Sequence, residues 1–171
     1  MELVLPAIEH KQAALDFRQE HFNCGETMIH GDGGLDSANT YVGWLELIRS
    51  AETRVFSEES VPATVYFGMQ EGRIVGIIQI RHKLNKRLRN TYGHIGYGVR
   101  PSERRKGYAT RMLAAALVKC RELGIMKVLV SCDKKNIGSA KTIINNGGKL
   151  SYEFIDDDGS TVQQYWITLN E

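Results

Sequence analysis

The stretch His94-Ile95-Gly96-Tyr97-Gly98-Val99-Arg100-Pro101-Ser102-Glu103-Arg104-Arg105-Lys106-Gly107-Tyr108-Ala109-Thr110 divides into an extended segment, a short basic turn and the start of a helix. Ala109, Met112, Leu113, Ala116, Leu117 and Cys120 recur at steps of three and one, which puts them on one face of a 3.6-residue repeat. Leu123-Gly124 closes the helix, because glycine tolerates the left-handed conformation of a C-terminal cap. Arg104, Arg105, Lys106 and Gly107 crowd the other end, where backbone N–H groups lack helical partners and the macrodipole is positive. Cations there disfavour the helix unless an anion fills the site, gripped by amides that glycine leaves open to approach. A solvated basic loop leading into a core helix is the other reading of the charge pattern.

The pattern Arg104-x-x-Gly107-x-Ala109, after a strand ending at Val99, resembles the coenzyme A motif of the GCN5-related N-acetyltransferase (GNAT) superfamily, Arg/Gln-x-x-Gly-x-Gly/Ala. Its specificity comes from context, the run GYGVRPSERRKGYATRML passing from strand to amphipathic helix.

Composition agrees with one domain over residues 1–171, a length that suits a single well-buried core. The 22 basic and 20 acidic residues leave a net charge of +2, no global bias towards nucleic acid or membrane. The basic residues cluster instead, at Arg81, Lys83, Lys86, Arg87 and Arg89, and again from Arg100 to Lys106. Cys24, Cys120 and Cys132 are odd in number and fit no metal-ligand spacing; Cys120 and Cys132 read as packing residues. No apolar run approaches the ~18 residues of a membrane span, and no secretory leader is visible, so a cytoplasmic location is expected.

In chain order, Leu3 to Leu5 predicts a short strand, and Pro6 suits the first turn of a helix to about Phe22, buried through Ile8, Leu15 and Phe22. Gly25 to Gly34 is a loop without the Lys-Ser/Thr ending of a Walker motif. Ser37 caps a second expected helix carrying Tyr41, Trp44, Leu45, Leu47 and Ile48. From Ala63 the pattern becomes extended: Thr64–Met69 and Ile74–Ile80 form a hairpin, and a basic connector around Leu84 and Leu88 holds a short helix. The strand Tyr92–Val99, the helix, and the strand Met126–Cys132 form a right-handed crossover unit with parallel strands. A helix from Asn136 to Asn146 and a second hairpin, Leu150–Ile155 with Thr161–Leu169, complete the chain. The fold class is therefore α/β: a mixed, mostly antiparallel sheet with one parallel strand–helix–strand unit and helices on both faces.

Residues 63–169 follow the GNAT order of elements, and SCDKKNIGSAKTIINNGG is similar to that superfamily's strand–Asn-x-x-Ala/Ser–helix–Gly segment. VPATVYFG, IRHKLNKRL and the terminal QYWI resemble a subgroup of uncharacterised bacterial acetyltransferases. The resemblance implies direct transfer from acetyl-CoA, without a metal, to a primary amine of a small molecule or peptide. Residues 1–62 would build part of the acceptor site. Backbone amides of Arg105, Lys106, Gly107, Tyr108, Ala109 and Thr110 would hold the pyrophosphate, with Arg104 at the motif's first position. Val99 and Arg100 would bond the pantetheine arm, Asn136 and Ser139 would contact the donor, and Gly96-Tyr97-Gly98 would carry a bulge. Asn136 and Ser139 read equally as a helix cap and a small helix-face residue. A homodimer is compatible with the resemblance.

His94 is the leading candidate for the general base, since imidazole titrates near neutral pH; a structural histidine is the alternative, and His82 the rival. Tyr97 is a candidate for the acceptor pocket, or a packing residue. Many GNAT enzymes carry a tyrosine seven residues after the asparagine of the last helix; here that position is Ile143. Ser139, Tyr108 or water then protonates the departing thiolate, or it leaves unprotonated. An acyl-CoA-binding module without catalysis is the second functional class, and a nucleic-acid binder the third, opposed by the small net charge. The acidic runs Glu58-Glu59 and Asp156-Asp157-Asp158 are the only candidates to frame a polycation and otherwise read as solvated.

Overall fold

The computed structural model describes residues 1–57 and 59–169. Its elements are β1 (Glu2–Val4), α1 (Lys11–Asn23), α2 (Tyr41–Ala51), β2 (Ala63–Gln70), β3 (Arg73–Arg81), α3 (Lys86–Asn90), β4 (Ile95–Val99), α4 (Tyr108–Glu122), β5 (Lys127–Asp133), α5 (Ile137–Asn145), β6 (Lys149–Ile155) and β7 (Thr161–Thr168). The strands form one sheet in the order β1-β2-β3-β4-β5-β7-β6. Every described pairing is antiparallel except β4 with β5, the parallel pair expected from the crossover.

Two apolar clusters cover the two faces. On one, α4 sets Met112, Leu113, Ala116 and Cys120 against Ile78, Ile80, Val128 and Val130, with Ile143 of α5 beside them. On the other, Phe17 of α1 and Trp44, Leu45 and Ile48 of α2 cover Val65, Phe67 and Ile77. The period-two alternation of a strand makes this division. Ile78 and Ile80 of β3 face α4, while Ile77 faces α1 and α2, and Gln79 and Arg81 follow it on that side.

Several local expectations are corrected. Residues 8–10 form a 3-10 turn rather than the first turn of α1, which rotates the helix: Ala14, Phe17 and His21 are buried and Ile8 is exposed. Thr40, not Ser37, caps α2, its hydroxyl accepting the Gly43 N–H at 3.1 Å. β4 starts at Ile95 and holds one register against β3 through Val99, so the bulge expected at Gly96-Tyr97-Gly98 is absent. Cys120 and Cys132 are buried as expected, and burial pushes the Cys120 thiol up to about 12. Glu58 lies outside the described residues, and Glu59 is paired with Arg87 at 2.6 Å. Among the described residues no helix is long and apolar enough to cross a membrane, and no group of three metal-ligating side chains converges.

Candidate active site

A single residue pair, Ile95 with Val130, joins β4 to β5, and beyond it the strands part. The phase of β4 decides which groups the parting leaves free. The Arg100 N–H donates to Val75 O at 2.9 Å, so the alternation of an antiparallel ladder turns the polar groups of Gly96 and Gly98 towards β3 as well. The N–H and C=O groups of Tyr97 and Val99 then face the opening. This corrects the role expected of Arg100, whose main-chain N–H belongs to the sheet.

The N-termini of α4 and α5 both lie beyond the carboxyl ends of these strands, the crevice where open α/β sheets take ligands. Gly107 caps α4 at φ +79°, no side chain caps it, and its first turn carries no acidic residue. A Cβ on Gly107 would meet nothing within 4 Å, so glycine serves the backbone conformation there, not the space. Two residues earlier Arg105 is also left-handed, at φ +61°. A non-glycine residue in that region costs about 1–2 kcal/mol, and successive turned N–H groups of this kind form a concavity for anions.

The basic cluster is largely spent inside the protein. Arg100 is buried: its Nε donates to Ile74 O at 2.6 Å, its Nη1 to Glu20 at 2.8 Å, and its guanidinium lies 5.5 Å from the Phe17 ring centroid. Arg104 makes two bonds to the Glu26 carboxylate, at 2.6 and 2.8 Å, and its Nε donates to Val99 O at 3.2 Å. Lys106 pairs with Glu103 at 3.0 Å. Only Arg105 of the four is without a carboxylate partner among the described residues. Burial pushes Glu20 up, but bonds from Ser102 and Arg100 outweigh it and hold the carboxyl at about 2. Glu26 also lies at about 2, held there chiefly by Arg104. Two carboxylates at the end of α1 thus fasten the β4–α4 turn, a use of Arg100 and Arg104 that the motif does not reveal.

His94 is 6% exposed and clips β4 to β5 at the closed end of the gap. Its N–H donates to Leu129 O at 2.7 Å, and its Nδ1 accepts the Leu129 N–H at 3.0 Å. Burial, then the nearby Arg89 and Arg81, bring its pKa down to about 4. With its Nδ1 lone pair engaged and its proton affinity this low, the ring does not present the free basic nitrogen that the expected general base requires. The rival His82 is engaged with the Thr64 hydroxyl at 2.9 Å. Tyr97 points away from the expected acceptor side, into the α4–α5 face. There its hydroxyl meets Ser139 Oγ at 2.7 Å, and burial pushes its pKa up to about 12.

On the opposite face the α1–α2 loop lies directly across β4. A Cβ on Gly31 would fall 2.1 Å from Gly96 O, and one on Gly98 would fall 3.0 Å from His30 O. Gly31 and Gly98 leave the room that lets two backbones touch here, whereas a Cβ on Gly96 would meet Gly31 at an ordinary 3.4 Å. The loop is held by Asp32, which accepts N–H groups of Gly34 at 2.8 Å and Asp36 at 2.6 Å; burial pushes its carboxyl up to about 6. Trp44 Nε1 anchors it by donating to Asp32 O at 2.9 Å. Two adjoining cavities of about 270 Å³ each open between this loop, α2, Phe56, residues 59–61 and β3, with Gly33, Gln79 and Arg81 common to both.

The profile of the acetyltransferase (GNAT) family matches residues 34–143, more than half of the chain. The chain belongs to the GNAT acetyltransferase family. Solved structures agree in fold. The ribosomal L7/L12 α-N-protein acetyltransferase RimL, in complex with coenzyme A, superposes with a TM-score of 0.71 at 15% identity, over 98% of this chain and 93% of that one. The acetyltransferase yncA from Salmonella typhimurium, with its cofactor acetyl-CoA, gives 0.70 at 12% identity over 99% and 94%. A variant of the spermidine N-acetyltransferase SpeG from Vibrio cholerae gives 0.67 at 11% identity over 98% and 95%. A sequence comparison with curated proteins returns no significant match.

Within this GNAT fold, Asn136 caps α5, its Oδ1 accepting the Ser139 N–H at 3.0 Å, and Ile143 is fully buried in the core. The hydroxyls of Tyr97 and Ser139 meet on the α4–α5 side of β4. Sequence reasoning missed Glu20, Glu26, Gln79 and Arg81 as site-forming residues. A usable signal existed for the loop: four glycines within residues 25–34 facing a Gly-x-Gly strand is what two crossing backbones require.

Proposed function

We propose that this chain is an acetyl-CoA-dependent N-acetyltransferase that passes the acetyl group directly to a primary amine of a small molecule or peptide within a ternary complex. The observation that carries this reading is the strand gap, which opens to the turn leading into α4, while the loop-covered cavities lie over the neighbouring strand β3 on the other face of the sheet. Donor and acceptor are thereby offered opposite faces of the sheet beside β4.

The turn from Arg105 to Thr110 fits a pyrophosphate, because its N–H groups converge at a helix start free of side-chain caps. The side chain of Arg105 adds positive charge there, and the N–H of Val99 suits an amide carbonyl of an extended ligand laid beside β4. Acetyl-CoA supplies an activated acyl group on a sulfur leaving group. The Tyr97–Ser139 hydroxyl pair is the donor available to the departing sulfur, at a place where many relatives carry a tyrosine and this chain carries Ile143. His94 keeps the closed end of the gap rigid, and held geometry of this kind is worth several kcal/mol of barrier.

Calorimetric titration with acetyl-CoA tests the donor half: binding in the micromolar range is expected, weakened at least tenfold by Arg105→Glu. Thiol release across an amine and peptide panel tests transfer. Tyr97→Phe is expected to lower kcat while leaving acetyl-CoA affinity within twofold. Binding without release on any acceptor would favour a non-catalytic acyl-CoA-binding module, and absence of binding would refute the proposal.

A further inference from the structure

Arg81 is the one basic side chain of its cluster that turns into the fold. It sits on β3 opposite His94, on the face covered by the α1–α2 loop, and its Nη1 lies 3.9 Å from where a Cβ on Gly96 would be. Nη1 donates to Gly93 O at 3.3 Å, and the guanidinium lies 5.9 Å from the Tyr92 ring centroid. No described residue accepts from Nε or Nη2, neither nitrogen is sealed from solvent, and no described carboxylate lies within ion-pair distance. This contrasts with Arg73, Arg87, Arg100 and Arg104, each paired with a glutamate. A half-buried guanidinium with spare donors is costly to leave unpaired, and its planar fork matches a carboxylate.

The two cavities that share Arg81 differ in chemistry. One is walled mostly by apolar side chains, Leu47, Phe56, Val61 and Leu88, together with Glu59, whose carboxylate is paired with Arg87. The other is walled by His30, Asp32 and Asp36 and lies beside Gly98, where the loop touches β4. Asp36 spends one oxygen on the Ile29 N–H at 3.1 Å, and no described donor reaches the other. From Gly98 to Gly96 the strand advances roughly 6.6 Å, so an acidic wall and a cationic floor stand about one small molecule apart. Together they complement a zwitterion, with an apolar chamber next to its anionic end.

Building on the acetyltransferase reading, we propose that the acceptor is a free amino acid with an apolar side chain. Arg81 holds its carboxylate, the Asp36 side of the cleft receives its ammonium group, and the chamber of Leu47, Phe56 and Leu88 takes its side chain. In the transfer the ammonium group first gives one proton to solvent; the neutral amine nitrogen then forms a bond to the acyl carbon as the carbon–sulfur bond breaks, and the second proton lost from nitrogen passes to the departing sulfur, giving the free thiol.

The test is thiol release with acetyl-CoA on matched sets of leucine, methionine and phenylalanine, their carboxamides, and their decarboxylated amines, with aspartate, lysine and phosphoethanolamine added. The acids are expected to exceed their amides at least thirtyfold in kcat/KM and to exceed aspartate and lysine. Arg81→Gln is expected to collapse the acid-to-amide ratio towards one, chiefly through KM, while acetyl-CoA titration stays within twofold of the native protein. Arg81→Lys is expected to restore part of the ratio. A readout independent of turnover is the arginine Nε–H resonance that disappears in Arg81→Lys, which should shift on adding leucine and not leucinamide. Amides or phosphoethanolamine matching the acids, or an acid preference intact in Arg81→Gln, would overturn the proposal. So would intact acetyl-CoA binding with neither release nor a resonance shift for any acid. Failure of the native protein to bind acetyl-CoA would overturn the acetyltransferase reading and this one with it.

Discussion

The two faces of β4 are built by opposite strategies. On the α4–α5 side most of the groups proposed for the donor lie in one short run, Val99, the turn from Arg105 to Gly107 and the first turn of α4, with Asn136 and Ser139 added from the start of α5. On the other side the cleft is assembled from the α1–α2 loop, α2, Phe56, residues 59–61 and the end of β3, segments separated by tens of residues. A phosphate group is held by backbone conformation, which a short motif encodes. An acceptor is held by side chains brought together through packing, which no short motif encodes. The glycines display the same contrast, Gly107 being required for its dihedral angle and Gly31 and Gly98 for contact between distant stretches of chain.

The sharpest way to break this comparison is Gly31→Ala. Its Cβ would collide with Gly96 O at 2.1 Å, and its φ is +78°, so loop and strand must separate. A loss of about 4 kcal/mol is expected, from overpacking and left-handed strain together. It should appear in urea unfolding and abolish amine turnover, while acetyl-CoA affinity falls less than turnover does. Equal loss of both would show that the two faces are one unit.

The next effect is pH-dependent and belongs to the hinge between the faces. His94 has its pKa lowered from 6.5 to about 4 on folding, so the unfolded chain binds the proton more tightly. Its contribution is complete above pH 6.5 and is lost as the pH falls towards 4. The stability advantage of the native protein over His94→Gln is therefore expected to shrink by about 3 kcal/mol between pH 7 and pH 4. Asp32 titrates oppositely, because burial raises its carboxyl to about 6 and its protonation favours the fold, but it is common to both proteins and cancels in the difference. Parallel urea midpoints at the two pH values would contradict the buried, neutral ring.

Glu20→Ala tests the fastening of the donor turn to α1. It leaves Arg100 buried without its carboxylate, at an expected cost of about 2 kcal/mol, below the range for fully sealed pairs because Glu20 is itself 24% exposed. Glu20 has its pKa lowered to about 2, so this contribution is present above about pH 4.5 and disappears as the pH falls towards 2. Acetyl-CoA affinity should fall with it, since the turn loses its anchor.

The smallest effect is the most local. Gly107→Ala meets no steric neighbour and pays only for φ +79°, about 1 kcal/mol in denaturant melts. Its weakening of acetyl-CoA binding, read by calorimetry, should exceed its effect on stability, because the ligand needs the left-handed turn more than the fold does.

The two hairpins, the crossover and the α4 stripe were legible in the chain because each follows from patterning over a short stretch of sequence. The turn proposed for the donor was picked out in the same way, as a run of consecutive residues, and its backbone is left-handed at Arg105 and Gly107. Hydrophobic spacing also placed Ile95, Tyr97 and Val99 on one face of β4 and the two glycines on the other. The partners of individual charges were not legible. Arg100 and Arg104 looked like ligand-binding cations until Glu20 and Glu26, about eighty positions earlier, were brought against them. His94 looked like a base until Leu129 engaged its ring, and Arg81 looked like one more solvated cation until the α1–α2 loop closed over its strand. Local order is set by forces between near neighbours along the chain, whereas the state of a titratable group depends on which distant groups and how much water surround it, and those are known only once the chain has packed.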